Sequence, residues 1–156
     1  MAIVTTRDRA RARMPYFFYG TLLDGDIQRI VLGRRLPSRQ LIPAVAHGYR
    51  RVYVKGAWYP TLAEGDGGPV AGCVVHGLSA KDRAKIDWFE DDDYVLGTVE
   101  VSTTRLGRVS ALAYMPPSPS VLTDTDWTLD EWRRRFKQQY VARSKRWMVS
   151  NFDAGW

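Results

Sequence analysis

Only one cysteine, Cys73, occurs among the 156 residues, so no disulfide can close within the chain and no paired cysteine spacing exists for a structural zinc. Long apolar runs are missing too. Nothing approaches the ~20 residues that cross a bilayer, and the amino terminus has no apolar stretch of the secretory kind, so a cytoplasmic chain without a membrane partner is expected. Histidine is scarce. His47 has no partner at ligand spacing, and His76 lies three residues from Cys73 in a strand pattern, which sends the two to opposite faces and argues against a thiol–imidazole pair. No Ser–His–Asp arrangement with an elbow motif is present. The triplet Asp91, Asp92 and Asp93 makes a poor metal site, because adjacent side chains diverge in an extended chain.

What is present reads as one globular domain, with apolar residues at 45% and charged residues at 26%. The formal net charge of +6 sits at the ends. Residues 1–14 hold four arginines and one aspartate, and residues 131–146 hold seven lysines or arginines and one glutamate. The body of the domain is not basic, so nucleic acid is not an expected partner. The division expected is a flexible basic tail over 1–14, a folded domain over 15–149 and a short tail over 150–156.

The apolar pattern sets out the elements. Tyr16 to Tyr19 form an aromatic strand stopped by Gly20, and a short helix follows, capped by Asp24, striped by Ile27, Ile30 and Val31, and ended by Gly33. Ala44 to Val54 and Val70 to His76 read as neighbouring strands of one sheet. Ser79 with Asp82 opens a second helix as a weak capping box, and Glu90 lies at its end. Val95 to Thr103 and Arg108 to Met115 flank Leu106 and Gly107 as a hairpin, and the stretch PPSPS reads as a loop. Thr128 and Glu131 cap a longer helix whose Leu129, Trp132, Phe136 and Tyr140 make one stripe out to Trp147. That stripe makes an amphipathic packing helix the preferred reading over a nucleic-acid surface built from Arg133, Arg134, Arg135 and Lys137. The class is α+β, with a compact, mixed and largely antiparallel barrel-like sheet flanked by short helices and a C-terminal helix.

Two places carry chemistry. In FFYGTLL a glycine and a hydroxyl residue stand between a strand and a helix start, where backbone N–H groups can hold a carboxylate; a purely structural turn is the alternative. In IDWFEDDDY, Glu90 follows Trp88 and Phe89 and precedes three aspartates. Aromatic cover and like charges both raise a carboxyl pKa, which suits a group that takes and gives a proton, although a solvated acidic turn has the same composition. Tyr114 ends a strand before the proline loop, where a phenol reaches either a pocket or the core.

Taken in order, FFYGTLL, YPTL, VAGCVVHGLS, IDWFEDDDY, TVEV and LAY resemble the gamma-glutamylcyclotransferase-like superfamily, and within it the plant avirulence-induced (AIG2-like) branch. The resemblance runs from about Pro15 to Trp147. It implies a gamma-glutamylcyclotransferase-like fold in which Tyr19, Gly20, Thr21 and Leu22 form the substrate-binding loop, Glu90 is the catalytic general acid/base and Tyr114 contributes to the pocket. It further implies conversion of a gamma-glutamyl amide or peptide to 5-oxoproline and a free amine, with no cofactor and no metal. A non-catalytic small-molecule or protein-binding module on the same fold is the alternative. One departure stands out: relatives often carry arginine two positions after the tyrosine, where Tyr94 is followed here by Val95 and Leu96.

Overall fold

The computed structural model describes residue 11 and residues 13–151. The expected tails therefore fall mostly outside the described residues. Within them Met14 packs on the core, and its carbonyl accepts from Arg83 Nη2 at 2.6 Å.

Eight strands and four α-helices are described: β1 (Tyr16–Phe18), α1 (Gly25–Leu32), β2 (Leu41–Ala46), β3 (Tyr49–Val54), β4 (Pro60–Glu64), β5 (Val70–Val75), α2 (Ala80–Glu90), β6 (Val95–Thr103), β7 (Gly107–Met115), β8 (Leu122–Asp126), α3 (Leu129–Arg135) and α4 (Lys137–Asn151). None of these helices is long and apolar enough to cross a membrane. Five strands close into a barrel in the order β1-β5-β2-β6-β7, and β4-β3-β8 form a separate three-stranded sheet. Among the described strand pairs only the β1–β7 closure, at Tyr16 and Leu112, is parallel. The α+β class and the largely antiparallel barrel are thus as the sequence led us to expect.

Period-two alternation fills the barrel. Ile42, Ala44 and Ala46 of β2, Val99 and Val101 of β6, and Ala111 and Ala113 of β7 point inward onto Phe17 and Tyr19. The alanines leave the volume those two rings occupy. Gly72 of β5 is required by contact: a Cβ there would stand 2.2 Å from the Phe18 carbonyl oxygen. On the outer face Tyr16, Phe18, Leu112 and Tyr114 meet Ile27, Val31, Ile86 and Trp132 of the helices in a second apolar cluster.

Three expectations need correction. Residues 44–54 are not one strand beside β5. The chain turns at Gly48, whose φ of 85° only glycine adopts cheaply, so β2 stays in the barrel while β3 leaves for the other sheet. Residues 122–126, to which the sequence pattern assigns no element, add β8 (Leu122–Asp126) to the edge of β3. The last helix breaks at Phe136 (φ −126°), whose ring is pulled out to stack on Trp58 at 6.1 Å and to meet Tyr53 edge-on at 6.2 Å. The capping at Thr128 is also half of what was expected. Its hydroxyl accepts from the Glu131 N–H, but the Glu131 carboxylate turns to the Tyr53 hydroxyl at 2.5 Å.

Candidate functional site

The loop after β1 is built by its neighbours. Gly20 (φ −125°, ψ −138°) does not use a left-handed conformation; a Cβ there would lie 3.0 Å from Pro60 Cγ, tight enough that the ring would have to shift by a few tenths of an ångström. Thr21–Leu23 make one 3-10 turn, in which Leu23 and Asp24 donate back to Gly20 and Thr21. Such a turn leaves its first N–H groups free, and among the described residues those of Thr21 and Leu22 have no acceptor. The buried Gln28 amide braces the loop by donating to the Leu22 carbonyl at 2.8 Å while accepting from Leu36 N–H at 2.9 Å. From the other side, Arg51 Nη1 donates to the Tyr19 carbonyl at 2.8 Å, and its guanidinium lies 5.3 Å over the Trp127 ring.

Glu90 is the last residue of α2. The helix starts with both halves of the Ser79–Asp82 capping box in place, and Asp82 is further held by a two-bonded contact with Arg34 at 2.9 Å. It stops because Asp91 takes a φ of 42°, a conformation costly for a residue with a side chain. Ile86 anchors the helix in the core, and Trp88 stacks on Trp147 of α4 at 5.4 Å.

The loop and the helix end meet. Tyr19, Gly20, Thr21, Leu22, Glu90 and Tyr114 line one cavity of about 30 Å³, together with Phe17, Phe18, Pro60, Tyr94 and Tyr140. The tyrosines that line the cavity with Glu90 are each held by a partner outside the carboxyl. Tyr19 donates to the Tyr114 carbonyl at 2.5 Å, Tyr94 to the Pro60 carbonyl at 2.5 Å, and Tyr114 to the Asp87 carboxylate. The Thr21 hydroxyl faces the Tyr140 hydroxyl at 3.4 Å, a long contact. Tyr94 meets Tyr114 edge-on at 6.2 Å, and Phe89 meets Tyr140 at 6.3 Å.

Burial pushes the Glu90 carboxyl up to about 8, and the negative charges of Asp93 and then Asp87 add to it. This is the direction expected from its aromatic and acidic neighbours. Burial likewise carries the phenols of Tyr19, Tyr94, Tyr114 and Tyr140 above their usual range, with the charge of Glu90 contributing at each. At neutral pH the cavity therefore holds neutral hydroxyls around a carboxyl that keeps its proton, an arrangement able to exchange one proton with a bound group.

Sequence reasoning did not assign Tyr94, Pro60, Tyr140 or Arg51 to the site. Tyr94 and Pro60 stand inside quoted motifs, in IDWFEDDDY and YPTL, and that was a usable signal. Tyr140 looked like one more packing residue of a helical stripe. Arg51 offers no local signal, since its partners lie 20, 32 and 76 residues away in sequence. Leu96, at the position where relatives often have arginine, pairs across the hairpin with Tyr114 and packs on the outer cluster.

The family model for gamma-glutamyl cyclotransferase, AIG2-like, matches residues 16–134. AIG2-like protein C of Arabidopsis thaliana is 29% identical over 142 residues, which cover 88% of this chain and 80% of the relative. Protein AIG2 C of the same plant is 28% identical over 138 residues, covering 86% and 81%. A solution structure of an Arabidopsis thaliana protein superposes with a TM-score of 0.60 at 28% identity, covering 91% of this chain and 86% of that one. A gamma-glutamyl cyclotransferase structure superposes with a TM-score of 0.52 over 85% of this chain and 86% of that one; at 15% identity the likeness is one of fold.

Proposed function

Because the chain belongs to the gamma-glutamyl cyclotransferase, AIG2-like family, we propose that it converts a gamma-glutamyl amide to 5-oxoproline and a free amine, with Glu90 moving the protons. The observation that carries this reading is that Glu90, its carboxyl raised to about 8, lines one cavity with the Tyr19–Leu22 loop.

The reaction needs little beyond folding the substrate. Its α-amino nitrogen attacks its own γ-carbonyl carbon, the new C–N bond closes a five-membered ring, and the original amide C–N bond breaks. Nucleophile and electrophile belong to one molecule, so holding the bent conformer supplies much of the acceleration. The ionised fraction of Glu90, small at neutral pH and growing as pH nears 8, takes a proton from the attacking nitrogen, and the resulting acid delivers one to the departing nitrogen, leaving the carboxylate as it began. The free N–H groups of Thr21 and Leu22 are placed to hold the oxygen on which charge develops. The phenols of Tyr94 and Tyr114 position the substrate as neutral groups.

A cavity of about 30 Å³ has room for one or two waters, not for a glutamyl group. Entry therefore requires side chains around the cavity to shift; the Tyr140 hydroxyl has only the long contact from Thr21 as a hydrogen bond, while its ring packs on Tyr59, Phe89 and Trp132.

The test is 5-oxoproline release from a panel of gamma-glutamyl dipeptides and amines, by this protein and by its Glu90→Gln variant. Product should form with the native chain and fall about a thousand-fold with the variant, which loses proton transfer but keeps shape. An active Glu90→Gln variant would remove Glu90 from the mechanism. No product across the panel would shift the protein to a binding role.

A further inference from the structure

Arg51 belongs to β3, in the three-stranded sheet, yet its side chain reaches across to the barrel. Nη1 donates to the Tyr19 carbonyl at 2.8 Å and to the Ala71 carbonyl of β5 at 3.2 Å, while Nε donates to the Trp127 carbonyl at 3.1 Å. Among the described residues no carboxylate pairs with it. Three backbone carbonyls and the face of the Trp127 ring hold a full charge that a half-buried place would otherwise penalise. Trp127 does not depend on that side chain. Its N–H donates to the Arg51 carbonyl at 3.0 Å, and its indole donates to the Trp58 carbonyl at 3.0 Å. The Tyr19 carbonyl has no such second hold: among the described residues Arg51 is its one donor.

That carbonyl is half of the peptide that carries the Gly20 N–H. The unit is planar and trans, so its oxygen and its N–H lie on opposite edges, and turning one turns the other. With the oxygen held by Arg51, the Gly20 N–H points away from the guanidinium, and among the described residues no acceptor meets it. Gly20 lines the Glu90 cavity beside Thr21 and Leu22. A wider groove of about 450 Å³ shares Tyr140 with that cavity, and Arg51 lines neither of them. Its influence therefore passes through the peptide. A charged donor on a carbonyl also draws electron density from the attached nitrogen, which makes the N–H on the far edge a stronger donor.

We infer that Arg51 is a positioning residue for the reaction: it fixes and polarises the Tyr19–Gly20 peptide, so that the Gly20 N–H joins those of Thr21 and Leu22 in holding the oxygen on which charge develops. The inference rests on the reading of the cavity as a gamma-glutamyl site. A donor aimed at developing charge acts in the transition state more than in the bound substrate, so its loss falls on kcat.

Arg51→Met keeps the length of the stem and removes the donors and the charge. With gamma-glutamylalanine as substrate, kcat should fall about a hundred-fold, the scale of a misplaced contact at the reacting centre, while KM changes by less than about three-fold. The pH at half-maximal kcat separates positioning from general loosening. It should stay at its native value because Glu90 remains buried; loosening would let water reach Glu90 and move the profile to lower pH. A loss carried by KM, or a profile displaced to lower pH, overturns the assignment. The amide spectrum of isotopically labelled protein reads the clamp without turnover. The Gly20 amide proton should move upfield in Arg51→Met, while the amides of the β6–β7 hairpin keep their positions. An unmoved Gly20 amide overturns the clamp whatever the activity; a moved one in a chain that makes no 5-oxoproline upholds the clamp and sinks the reaction. If the methionine variant is unfolded at the assay temperature, Arg51→Lys, which keeps the charge and reaches one carbonyl, carries the same measurements with a fall in kcat of about ten-fold.

Discussion

Asp24 and Glu90 are both drawn from water, and the fold treats them in opposite ways. Asp24 is 1% exposed, and burial alone would raise its pKa, yet hydrogen bonds from Lys137 and Arg133, with a backbone N–H from Asp26, bring it below the ordinary carboxylate range. Among the described residues no cation pairs with Glu90. Its charged neighbours, Asp93 and Asp87, repel it, and it rises to about 8. The contrast teaches that burial does not by itself make a carboxylate reactive; the company it keeps does. Asp24 is spent on joining α1 to α3 and α4 at 2.9 and 3.0 Å. Glu90 satisfies no structural bond of that kind and is left to exchange a proton.

The contrast can be broken first at Asp24. Asp24→Ala removes a helix cap and two ion pairs to partly exposed cations, and should cost about 3 kcal/mol in a urea melt. A loss no larger than that of an exposed pair would show that its low pKa does not reflect structural work. Glu90→Gln should act in the reverse sense. Native Glu90 keeps its proton until about pH 8, whereas the unfolded chain releases it near 4.5, so folding takes up a proton between those values and stability falls as pH rises through them. The variant, which mimics the protonated group, should be more stable than the native chain by about 2 kcal/mol at pH 9, after discounting for partial exposure, and no more stable at pH 4. For Asp24 the sign is opposite: its lowered pKa adds stability above the usual carboxylate range, and that contribution is lost as pH falls through its folded value.

Two smaller effects sharpen the comparison. Asp91→Gly should raise stability by about 0.5–1 kcal/mol in the same melt, since glycine accepts the φ of 42° without strain; a loss would mean that the Asp91 side chain holds the end of α2. Asp93→Asn removes the like charge that raises Glu90 most, so the activity profile should move to lower pH, with about two-fold more turnover at pH 6 than the native chain. A profile that stays put would assign the raised pKa to burial alone.

Much of the fold was legible because local chemistry and tertiary structure agree. The Asp24 cap, the left-handed Gly33, the Ser79 box and the β6–β7 hairpin all follow from residues within a few positions of one another. Where distant packing decides, the sequence was silent. The stripe Leu129, Trp132, Phe136 and Tyr140 keeps its helical spacing straight through the break, because what unwinds Phe136 is Trp58 and Tyr53 from the far sheet. β8, reading LTDTD and mostly exposed, has neither the apolar content nor the alternation that marks a strand. The site divides the same way. Glu90 and the Tyr19–Leu22 loop stand out through the ordered motifs that carry the family resemblance, since each segment alone reads equally as a structural turn, while Tyr59 and Tyr140 come together only once the chain before β4 meets α4.

Tyr140 has a consequence of its own. One phenol forms a wall of two compartments, leaning on Phe89, Tyr59 and Trp132 and facing the Thr21 hydroxyl. Whatever fills either compartment must set the angle of that ring, and the ring then sets the shape of the other. Occupancy of the two halves is therefore thermodynamically linked, each reporting on the other through a single torsion, so substitutions made on the two sides of Tyr140 should not combine additively.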